Sequence, residues 1–332
     1  MRFTTADVAD ATGGEVFGRA GEVDGASIDS RSISAGQLFV PIVAERDGHQ
    51  FIGAAIGRGA SVYLTSGPIE AGTAVLVEDT AAALTDLGRA ARARITGPVV
   101  GITGSVGKTS LKDLLAAVAS TTWRTTASVG SFNNELGVPL TLVNAPDGTE
   151  VAVVEMGARG KGHIGVLCDV ARPTVGVVTV VAGAHLEQFG SLDGVARAKS
   201  ELIASLPADG TAVLNADDAR VRAMAAVTEA TTVLFGVHGG DVRAEDISLD
   251  DRVRATFTLV SPWGSSAVHL GVAGEHQVVN ALGAAAAALS FGTPVDAVAA
   301  GLAQGRLSPG RMDLTTRPDG VRVLDDSYNA NP

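Results

Sequence analysis

The sequence predicts an α/β protein in which a small N-terminal α/β domain is followed by a larger domain with a parallel sheet. Up to residue 83, short apolar runs such as residues 61–64 and 74–77 alternate with turn residues, a pattern typical of a small α/β domain. From residue 98 onward, apolar strands alternate with segments of helical spacing, which indicates parallel strands connected by helices. A length of 332 residues accommodates two or three domains.

The composition argues against several classes of protein. A net charge of −11 and a pI near 5.0 disfavour a nucleic-acid-binding protein, which needs basic residues to neutralise phosphates. The one cysteine, Cys168, cannot form an internal disulfide, and the Cys and His residues lack zinc-site spacing. No apolar run reaches the roughly 20 residues of a membrane-spanning helix. We therefore expect a cytoplasmic monomer that binds no nucleic acid and does not insert into membranes.

A predicted helix marks the boundary between the two domains. Apolar residues recur at helical spacing through residues 80–95, and the pair Gly97-Pro98 ends this segment. A second boundary is expected at residues 305–311, which resemble a hinge. We predict three parts: an N-terminal domain at 1–83, a central domain at 84–312, and the start of an incomplete third domain at 313–332.

The central domain contains the clearest strand and helix patterns. An alanine-rich segment at residues 280–289 predicts a buried helix, and a short strand is expected near the end of the chain, at residues 321–324. Ligands of parallel sheets bind beyond the carboxyl ends of the strands. The strands predicted in this domain are residues 98–103, 150–155, 174–181 and 211–215.

A glycine-rich loop follows the first of these strands and precedes a helix-patterned segment. The backbone amides of such a P-loop converge on phosphate oxygens, its lysine reaches the β- and γ-phosphates, and its threonine can bind Mg²⁺. The general pattern has glycine where Ile102 stands, so a chance glycine turn before a helix is the alternative. The residues predicted to bind a mononucleotide here are Gly104, Ser105, Val106, Gly107, Lys108, Thr109 and Ser110.

Two polar residues after later strands are candidate metal ligands. Glu155 ends an apolar strand at the edge where the phosphate loop is expected, and Mg²⁺ needs only one or two carboxylates besides phosphate oxygens and waters. The alternative is that Glu155 caps the following turn. His185 is expected at the same edge, either as a ligand or as a structural histidine.

Lys199 lies on the apolar stripe of a predicted helix that Ser191 can cap. Burial there would lower the pKa of the amine and increase its neutral fraction. A neutral lysine amine can react with CO₂, and the resulting anionic carbamate could bind Mg²⁺. The alternative is a lysine that reaches solvent or forms an ion pair.

Together these motifs resemble the Mur ligase family over essentially the whole chain. Residues 103–109 are similar to its TGxxGKT loop, which also accounts for Ile102. Residues 184–187 and 198–201 look like its AHLE and KxE elements, in which the lysine is carbamylated. Residues 274–281 resemble the stretch that contacts adenine. The resemblance implies that Asn280, Arg311 and Asp326 also contact the nucleotide.

Three stretches resemble one kind of Mur ligase in particular. They are an EMGA signature at residues 155–158, an NNxxGxP loop within residues 131–139, and a DxYNANP motif at residues 326–332. They imply an ATP-dependent ligase that joins D-alanyl-D-alanine to UDP-N-acetylmuramoyl-tripeptide in peptidoglycan precursor synthesis. The residues implied to bind the UDP-linked substrate are Ser30, Arg31, Asp47, His49, Asn133 and Asn134.

The resemblance also implies a mechanism with ATP and Mg²⁺ as cofactors. ATP would phosphorylate the tripeptide carboxylate, and the amine of D-alanyl-D-alanine would attack the resulting acyl phosphate. One Mg²⁺ would bind Thr109 and Glu155, and another would bind His185 and carbamylated Lys199. These residues and Lys108 are the catalytic candidates.

Some features depart from the family pattern, and other functions stay open. Val180 and Gln277 stand where asparagine is common, and the third domain, which in the family binds the amine substrate, is not complete. We therefore expect little turnover from this chain alone. One alternative is a diamino-acid-adding Mur ligase or a folylpolyglutamate-type ligase. Another is a non-catalytic or truncated module that binds nucleotide and UDP-sugar and needs a separate third domain. Arg31 and Asp47 could also simply pair on the surface.

Overall fold

The structure, a computed structural model, describes residues 1–183 and 189–328. Its contacts divide the chain into two compact units. The first unit comprises Met1–Thr96 and Phe132–Thr149, and the second comprises Gly97–Ser131 and Glu150–Pro332. The chain therefore leaves the second unit once, completes the first, and returns.

The first unit contains a five-stranded sheet, a two-stranded sheet and the helices that pack on them. Its elements are β1 (Arg2–Thr4), α1 (Thr5–Thr12), β2 (Glu15–Phe17), β3 (Glu22–Asp24), β4 (Ala26–Ser27), β5 (Leu38–Phe39), a 3₁₀ helix (Gly48–Phe51), α2 (Ile52–Gly57), β6 (Val62–Thr65), β7 (Ala74–Leu76), α3 (Thr80–Ala93) and α5 (Gly137–Val143). The larger sheet has the order β2-β7-β6-β5-β4, in which β2 is antiparallel to β7 and the other neighbours are parallel.

Helix α3 packs against α1 and α5, so its contacts place it in the first unit. Asp79 caps this helix, because its Oδ1 accepts hydrogen bonds from the N–H groups of Ala81 and Ala82 at 2.7 and 2.9 Å. The helix lies where the sequence predicts it. The division by contacts falls after Thr96, and so it differs from the boundary predicted at residue 83.

Helix α5 also belongs to the first unit, although it lies far outside the predicted N-terminal domain of residues 1–83. All seven of its residues are buried. Asn144, which follows the helix, pairs with the backbone of Ala26 in both directions, at 2.9 Å for each hydrogen bond. The N–H group of Met1 also donates to the carbonyl of Val143, at 3.2 Å. Residues distant in sequence therefore complete this unit, and the segment predicted as a continuous central domain is interrupted.

The second unit is built on a sheet that has nine strands in the described part of the chain. The elements of this unit are β8 (Val99–Thr103), α4 (Lys108–Ala119), β9 (Thr125–Ala127), β10 (Val151–Glu155), α6 (His163–Ala171), β11 (Val175–Val178), α7 (Leu192–Ala204), β12 (Thr211–Asn215), α8 (Ala219–Arg222), a 3₁₀ helix (Ala223–Val227), β13 (Thr231–Gly236), β14 (Val242–Leu249), β15 (Arg254–Ser261), β16 (Gly264–Ala273), α9 (Gln277–Ser290), α10 (Val295–Gln304), β17 (Asp313–Thr316) and β18 (Arg322–Asp325).

The order of the nine strands is β16-β15-β14-β13-β12-β11-β8-β10-β9. The strands from β14 to β9 are parallel, and β15 and β16 extend the sheet as antiparallel strands. The four strands predicted from the sequence are the central ones β10, β8, β11 and β12, which confirms the predicted α/β fold. Because these strands are parallel, their carboxyl ends lie at one edge of the sheet.

The predicted alanine-rich helix is α9, which is buried along nearly its whole length and packs against α4. Small side chains permit this close approach, since a Cβ on Gly283 would lie 2.6 Å from a methyl group of Leu111. The packing fixes α4, and with it the loop that precedes α4, against the sheet.

The final described segment follows α10. Residues 305–311 form no regular helix or strand, and β17 and β18 then pair as an antiparallel hairpin. This hairpin groups with the second unit by its contacts, so the predicted start of a third domain stays a prediction. Within residues 1–183 and 189–328, no helix is long and apolar enough to span a membrane.

Candidate active site

The glycine-rich loop connects β8 to α4, and two of its glycines adopt positive φ angles. Gly104 has a φ of +152° and Gly107 a φ of +83°. A Cβ on Gly104 would overlap the hydroxyl of Thr179, and a Cβ on Gly107 would lie 2.6 Å from the side-chain oxygen of Asn280. Gly107 is also the N-cap residue of α4, where the first-turn N–H groups and the helix dipole favour an anion. The loop conformation thus requires glycine and suits a phosphate.

Lys108 turns its ammonium group back over this loop. Its Nζ donates hydrogen bonds to the carbonyls of Gly104 at 2.9 Å and Ser105 at 3.3 Å. Burial lowers the pKa of Lys108; the Glu155 carboxylate opposes this shift and the Arg311 guanidinium adds to it. A buried ammonium whose partners here are neutral carbonyls would be stabilised by an anionic phosphate.

Thr109 and Glu155 meet at the carboxyl edge of the sheet. The hydroxyl of Thr109 donates to Oε2 of Glu155 at 2.8 Å, and both residues are buried. A hydroxyl and a carboxylate beside a phosphate loop fit Mg²⁺, which also takes phosphate oxygens and waters as ligands. No group of three or more His, Cys, Asp or Glu residues that could hold a metal occurs in the described ranges. A Mg²⁺ ion at Thr109 and Glu155 would therefore take its remaining ligands from phosphate oxygens and waters.

Arg311 reaches the same hydroxyl from the segment after α10. Its Nη2 donates to Thr109 Oγ1 at 3.0 Å, and its guanidinium lies 4.4 Å from the ring centroid of Tyr328. The buried Nε of Arg311 has no hydrogen-bond partner among the described residues. Asp326, also predicted to contact nucleotide, accepts a hydrogen bond from the backbone N–H of Met312 at 3.2 Å. Of these two predicted residues, Arg311 contacts the P-loop helix directly.

Lys199 is buried on α7, and the hydroxyl of Ser191 caps that helix as predicted. Burial lowers the pKa of Lys199 to about 7, and the nearby charge of Lys108 acts in the same direction. This shift increases the neutral fraction of the amine near pH 7, and the neutral amine is the form that reacts with CO₂. His185 lies outside the described residues, so its predicted metal role stays a prediction.

Glu201, two residues after Lys199, has a structural partner. Its two carboxylate oxygens accept the backbone N–H groups of Gly162 at 2.6 Å and Gly165 at 3.0 Å. Since Gly162 is the N-cap residue of α6 and has no side chain, Glu201 supplies the capping acceptor from another helix. This part of the KxE element therefore connects α7 to α6.

Asn280 lies on the first turn of α9, next to Gly107. Its Nδ2 donates to the side-chain oxygen of Gln277 at 2.8 Å, and the Gln277 amide nitrogen lies 3.0 Å from Nε2 of His276. Gln277, which departs from the family pattern, thus links His276 to Asn280. The structure brings Asn280 to the phosphate loop, and its predicted contact with the nucleotide stays a prediction.

The predicted UDP-substrate residues of the N-terminal segment belong to the first unit. Arg31 pairs with both carboxylate oxygens of Asp29, at 2.8 Å for the closest contact, and these hydrogen bonds lower the pKa of Asp29 to about 2. Ser30, between them, is buried. Asp47 instead lies 2.6 Å from Nδ1 of His49, so Arg31 and Asp47 have different partners.

The other predicted substrate residues of the first unit are His49, Asn133 and Asn134. Nε2 of His49 accepts the backbone N–H of Ser66 at 3.0 Å, which assigns the proton to Nδ1, facing Asp47. Asn134 accepts the N–H of Gly137 at 2.9 Å and so caps the start of α5. Asn133 adjoins Asn134 in the same loop, and the substrate role of both stays a prediction.

Sequence reasoning did not identify Lys112, one helical turn after Lys108. Lys112 is 2% exposed, and its Nζ donates to the carbonyls of Ser128 at 2.7 Å and Gly130 at 2.8 Å. Two signals could have identified it. The chain has only four lysines, and a lysine four residues after the P-loop lysine lies on the same side of α4.

Comparison with known proteins places this site in a family. Residues 102–288 match the model of the Mur ligase middle domain. The chain is 41% identical to the UDP-N-acetylmuramoyl-tripeptide–D-alanyl-D-alanine ligase of Mycobacterium tuberculosis, in an alignment that covers 100% of this chain and 72% of that protein.

Solved structures give the same result. A crystal structure of MurF from Acinetobacter baumannii superposes with a TM-score of 0.89 at 33% identity, covering 100% of this chain and 74% of that one. MurF ligase from Thermotoga maritima in complex with ADP gives a TM-score of 0.79 at 30% identity, covering 93% and 72%. The similarity therefore includes both units of the fold.

Proposed function

This chain belongs to the Mur ligase family, and on that premise we propose that it is an ATP-dependent ligase that joins D-alanyl-D-alanine to UDP-N-acetylmuramoyl-tripeptide. The observation that carries the proposal is the Thr109–Glu155 contact beside the Lys108 loop. The contact supports the proposal because a glycine-rich loop, its lysine and a hydroxyl–carboxylate pair suited to Mg²⁺ lie together at one edge of the sheet. The names of the relatives supply the substrates, which this edge alone does not specify.

The residues of the site have distinct roles in the proposed phosphoryl transfer. Lys108 and the first-turn amides of α4 bind the β- and γ-phosphates of ATP. Thr109 and Glu155 would hold Mg²⁺, which neutralises charge on the phosphates when it is bound. Arg311, already 3.0 Å from Thr109, adds a second fixed positive charge. The tripeptide carboxylate and the phosphates of ATP are both negatively charged and repel each other. These positive charges reduce that repulsion and so favour attack of the carboxylate on the γ-phosphorus.

The proposed reaction has two steps, phosphorylation of the carboxylate and formation of the amide. An oxygen of the tripeptide carboxylate forms a bond to the γ-phosphorus, and the bond to ADP breaks, which gives an acyl phosphate. The amine of D-alanyl-D-alanine attacks the acyl carbon, phosphate leaves, and the nitrogen loses a proton as the amide forms. Lys199 in its carbamate form and His185 are proposed to bind a second Mg²⁺ during the first step.

The first unit is proposed to bind the UDP-linked substrate. Arg31 is 84% exposed, and its guanidinium is held in place by Asp29, so it is available to a diphosphate. Asp47 orients His49 by a short hydrogen bond. Ser30, Asn133 and Asn134 complete the proposed set. We also propose that the chain acts as a cytoplasmic monomer.

The first test separates carboxylate activation from addition of the amine. The chain is incubated with ATP, Mg²⁺, UDP-muramoyl tripeptide and hydroxylamine, a small nucleophile that converts an acyl phosphate into a hydroxamate. We expect hydroxamate formation that falls at least 100-fold in Lys108→Ala, because the P-loop lysine is lost. Lys161→Ala is the matched control, since Lys161 is an exposed lysine of the same unit.

Two outcomes would contradict the proposal. One is absence of hydroxamate in the presence of all substrates. The other is activation of a UDP-muramoyl dipeptide in preference to the tripeptide, which would support the diamino-acid-adding alternative. Replacing hydroxylamine with D-alanyl-D-alanine then measures whether this chain completes the second step.

A further inference from the structure

Lys112 and Asp113 form a buried ion pair on α4, one turn beyond the P-loop lysine. Nζ of Lys112 lies 2.9 Å from Oδ1 of Asp113, and the two side chains are 3% and 13% exposed. The ammonium also donates hydrogen bonds to the carbonyls of Ser128 and Gly130. Because these partners all belong to the protein and the side chain is buried, Lys112 is placed to act through the segments that it binds.

One of these segments leads to Glu155. The hydroxyl of Ser128 accepts the backbone N–H of Glu155 at 3.2 Å, and the N–H of Ser128 donates to the carbonyl of Val153 at 3.0 Å. Ser128 is thus held between Lys112 on one side and the end of β10 on the other. The pairing of β10 with β8 holds the Glu155 backbone on one side, and the Ser128 turn holds it on the other, so the turn helps to direct the carboxylate toward Thr109.

The second segment leads to Arg311. Oδ2 of Asp113 accepts the backbone N–H of Ser308 at 2.7 Å. Ser308 lies three residues before Arg311, within the stretch that forms no regular element, so this hydrogen bond anchors an otherwise irregular backbone. Tyr328 connects the two segments, because its N–H donates to the carbonyl of Gly310 and its hydroxyl is in hydrogen-bond contact with that of Ser131.

A buried ion pair is an expensive way to stabilise a fold. Removing both charges from water costs several kcal/mol, and well-packed apolar residues often stabilise a protein as well or better. An ion pair can instead fix geometry, since each oxygen accepts and each N–H group donates a hydrogen bond in a defined direction. Here Ser128 contacts the backbone of Glu155, and Ser308 lies three residues before Arg311; both Glu155 and Arg311 touch Thr109.

We propose that Lys112 and Asp113 are positioning residues that keep the side chains of Glu155 and Arg311 in contact with Thr109. In this way they set the affinity of the site for nucleotide-bound Mg²⁺. This inference rests on the proposed function only for the identity of the metal and nucleotide. The pair touches neither ligand. Its effect is transmitted through the Ser128 turn to Glu155 and through Ser308 to Arg311.

The test measures binding and backbone protection, so it does not depend on turnover. The affinity for a non-hydrolysable ATP analogue is measured by calorimetry across a Mg²⁺ series, in the unmodified chain and in Lys112→Met. We expect the Mg²⁺ concentration for half-maximal binding to rise by about 10-fold or more, the usual effect of losing a residue that orients a metal ligand. Hydrogen exchange should accelerate at the amides of Glu155 and Ser308. Lys161→Met is the control.

Three further variants test the proposal if Lys112→Met folds poorly. Ser128→Ala removes the acceptor of the Glu155 amide and leaves the ion pair intact, so it should raise the Mg²⁺ requirement. Asp113→Asn should release the Ser308 amide, because one of its two acceptor oxygens becomes a donor. Lys112→Arg keeps the charge and should recover part of the Mg²⁺ affinity.

The outcomes separate this inference from the proposed function. Unchanged Mg²⁺ dependence and unchanged exchange at Glu155 in folded Lys112→Met and Ser128→Ala would overturn the positioning role, whether or not the chain forms hydroxamate. A loss of thermal stability without any change in the Mg²⁺ requirement would also overturn it, since a purely structural pair predicts that result. Failure of hydroxamate formation with a shifted Mg²⁺ requirement would overturn the ligase proposal and leave the positioning role supported.

Discussion

Lys199 is a single residue whose chemistry is changed by its surroundings. It is 5% exposed, and burial lowers its pKa from 10.5 to about 7. The unfolded chain keeps the ordinary pKa, so between pH 7 and pH 10.5 the unfolded state binds a proton that the folded state lacks. Stability therefore rises with pH through this window, and the full cost of burying the lysine applies below pH 7. Burial of Lys199 therefore destabilises the fold at neutral pH, and it also favours the neutral amine that the proposed carbamate requires.

The corresponding prediction concerns Lys199→Met, which keeps the length of the side chain and removes the amine. In CO₂-free buffer at pH 7 we expect the variant to be more stable than the unmodified chain by on the order of 3 kcal/mol. The difference should shrink to about 1 kcal/mol at pH 10, because the pH then approaches the ordinary pKa of lysine and protonation stabilises the unfolded chain much less. Urea denaturation at pH 7, 8.5 and 10 measures it. A difference that does not vary with pH would show that the lysine is not desolvated.

Two helices of the second unit begin with nearly the same glycine conformation, and they provide a matched comparison. Gly107 before α4 has φ and ψ of 83° and −10°, and Gly162 before α6 has 85° and −15°. A Cβ on Gly107 would lie 2.6 Å from Asn280, whereas a Cβ on Gly162 would have no neighbour within 4 Å. An alanine would adopt an unfavourable positive φ at either position. Only at Gly107, in the phosphate loop, would its Cβ also collide with a neighbouring side chain.

We therefore predict different effects of the same substitution. Gly162→Ala should lower the free energy of unfolding by about 1 kcal/mol, the cost of a left-handed conformation for an L-residue, and leave nucleotide affinity unchanged. Gly107→Ala should lower it by about 3 kcal/mol and reduce nucleotide affinity at least 10-fold, because the loop or Asn280 must move. Denaturation and calorimetry of both variants measure this. Equal losses would mean that the contact with Asn280 does not constrain the loop.

The secondary structure elements also show what a sequence can and cannot predict. The central strands and α9 were predictable because a buried parallel strand is apolar throughout and a buried helix is apolar on every side. The glycine loop was predictable because its backbone conformation restricts the residue type. The hydrogen-bond partners of Lys112 and the contact of Arg311 with Thr109 were not predictable, because each joins segments more than ten residues distant in sequence that meet only in the fold.

At the scale of the whole chain, the main difference between prediction and structure is the path of the backbone. A pattern-based boundary assumes that each domain is one continuous segment, and the predicted limits of 1–83 and 84–312 follow that assumption. The contacts instead assign Phe132–Thr149 to the first unit. The burial of α5 could not be attributed to one partner from its apolar composition, since an apolar helix of seven residues would fit equally well on either unit.

This division predicts which fragments fold independently. A fragment of residues 1–96 lacks α5, so the face of α3 that packs against that helix would be exposed, and the Ala26 backbone would lose both hydrogen bonds to Asn144. We expect such a fragment to be partly unfolded and to bind hydrophobic dyes. Joining residues 132–149 to its end through a flexible linker should restore a cooperative unfolding transition, because the buried helix returns to its surface.

The control is the same fragment and linker with Leu140 and Leu142, both buried in α5, replaced by Asp. It should behave like residues 1–96 alone, since burying unpaired carboxylates is costly. Circular dichroism and urea denaturation distinguish these cases. A fragment of residues 1–96 that unfolds cooperatively, with the same midpoint as the extended one, would show that α5 only rests on a self-sufficient unit. Residues 132–149 would then not be needed for the first unit to fold.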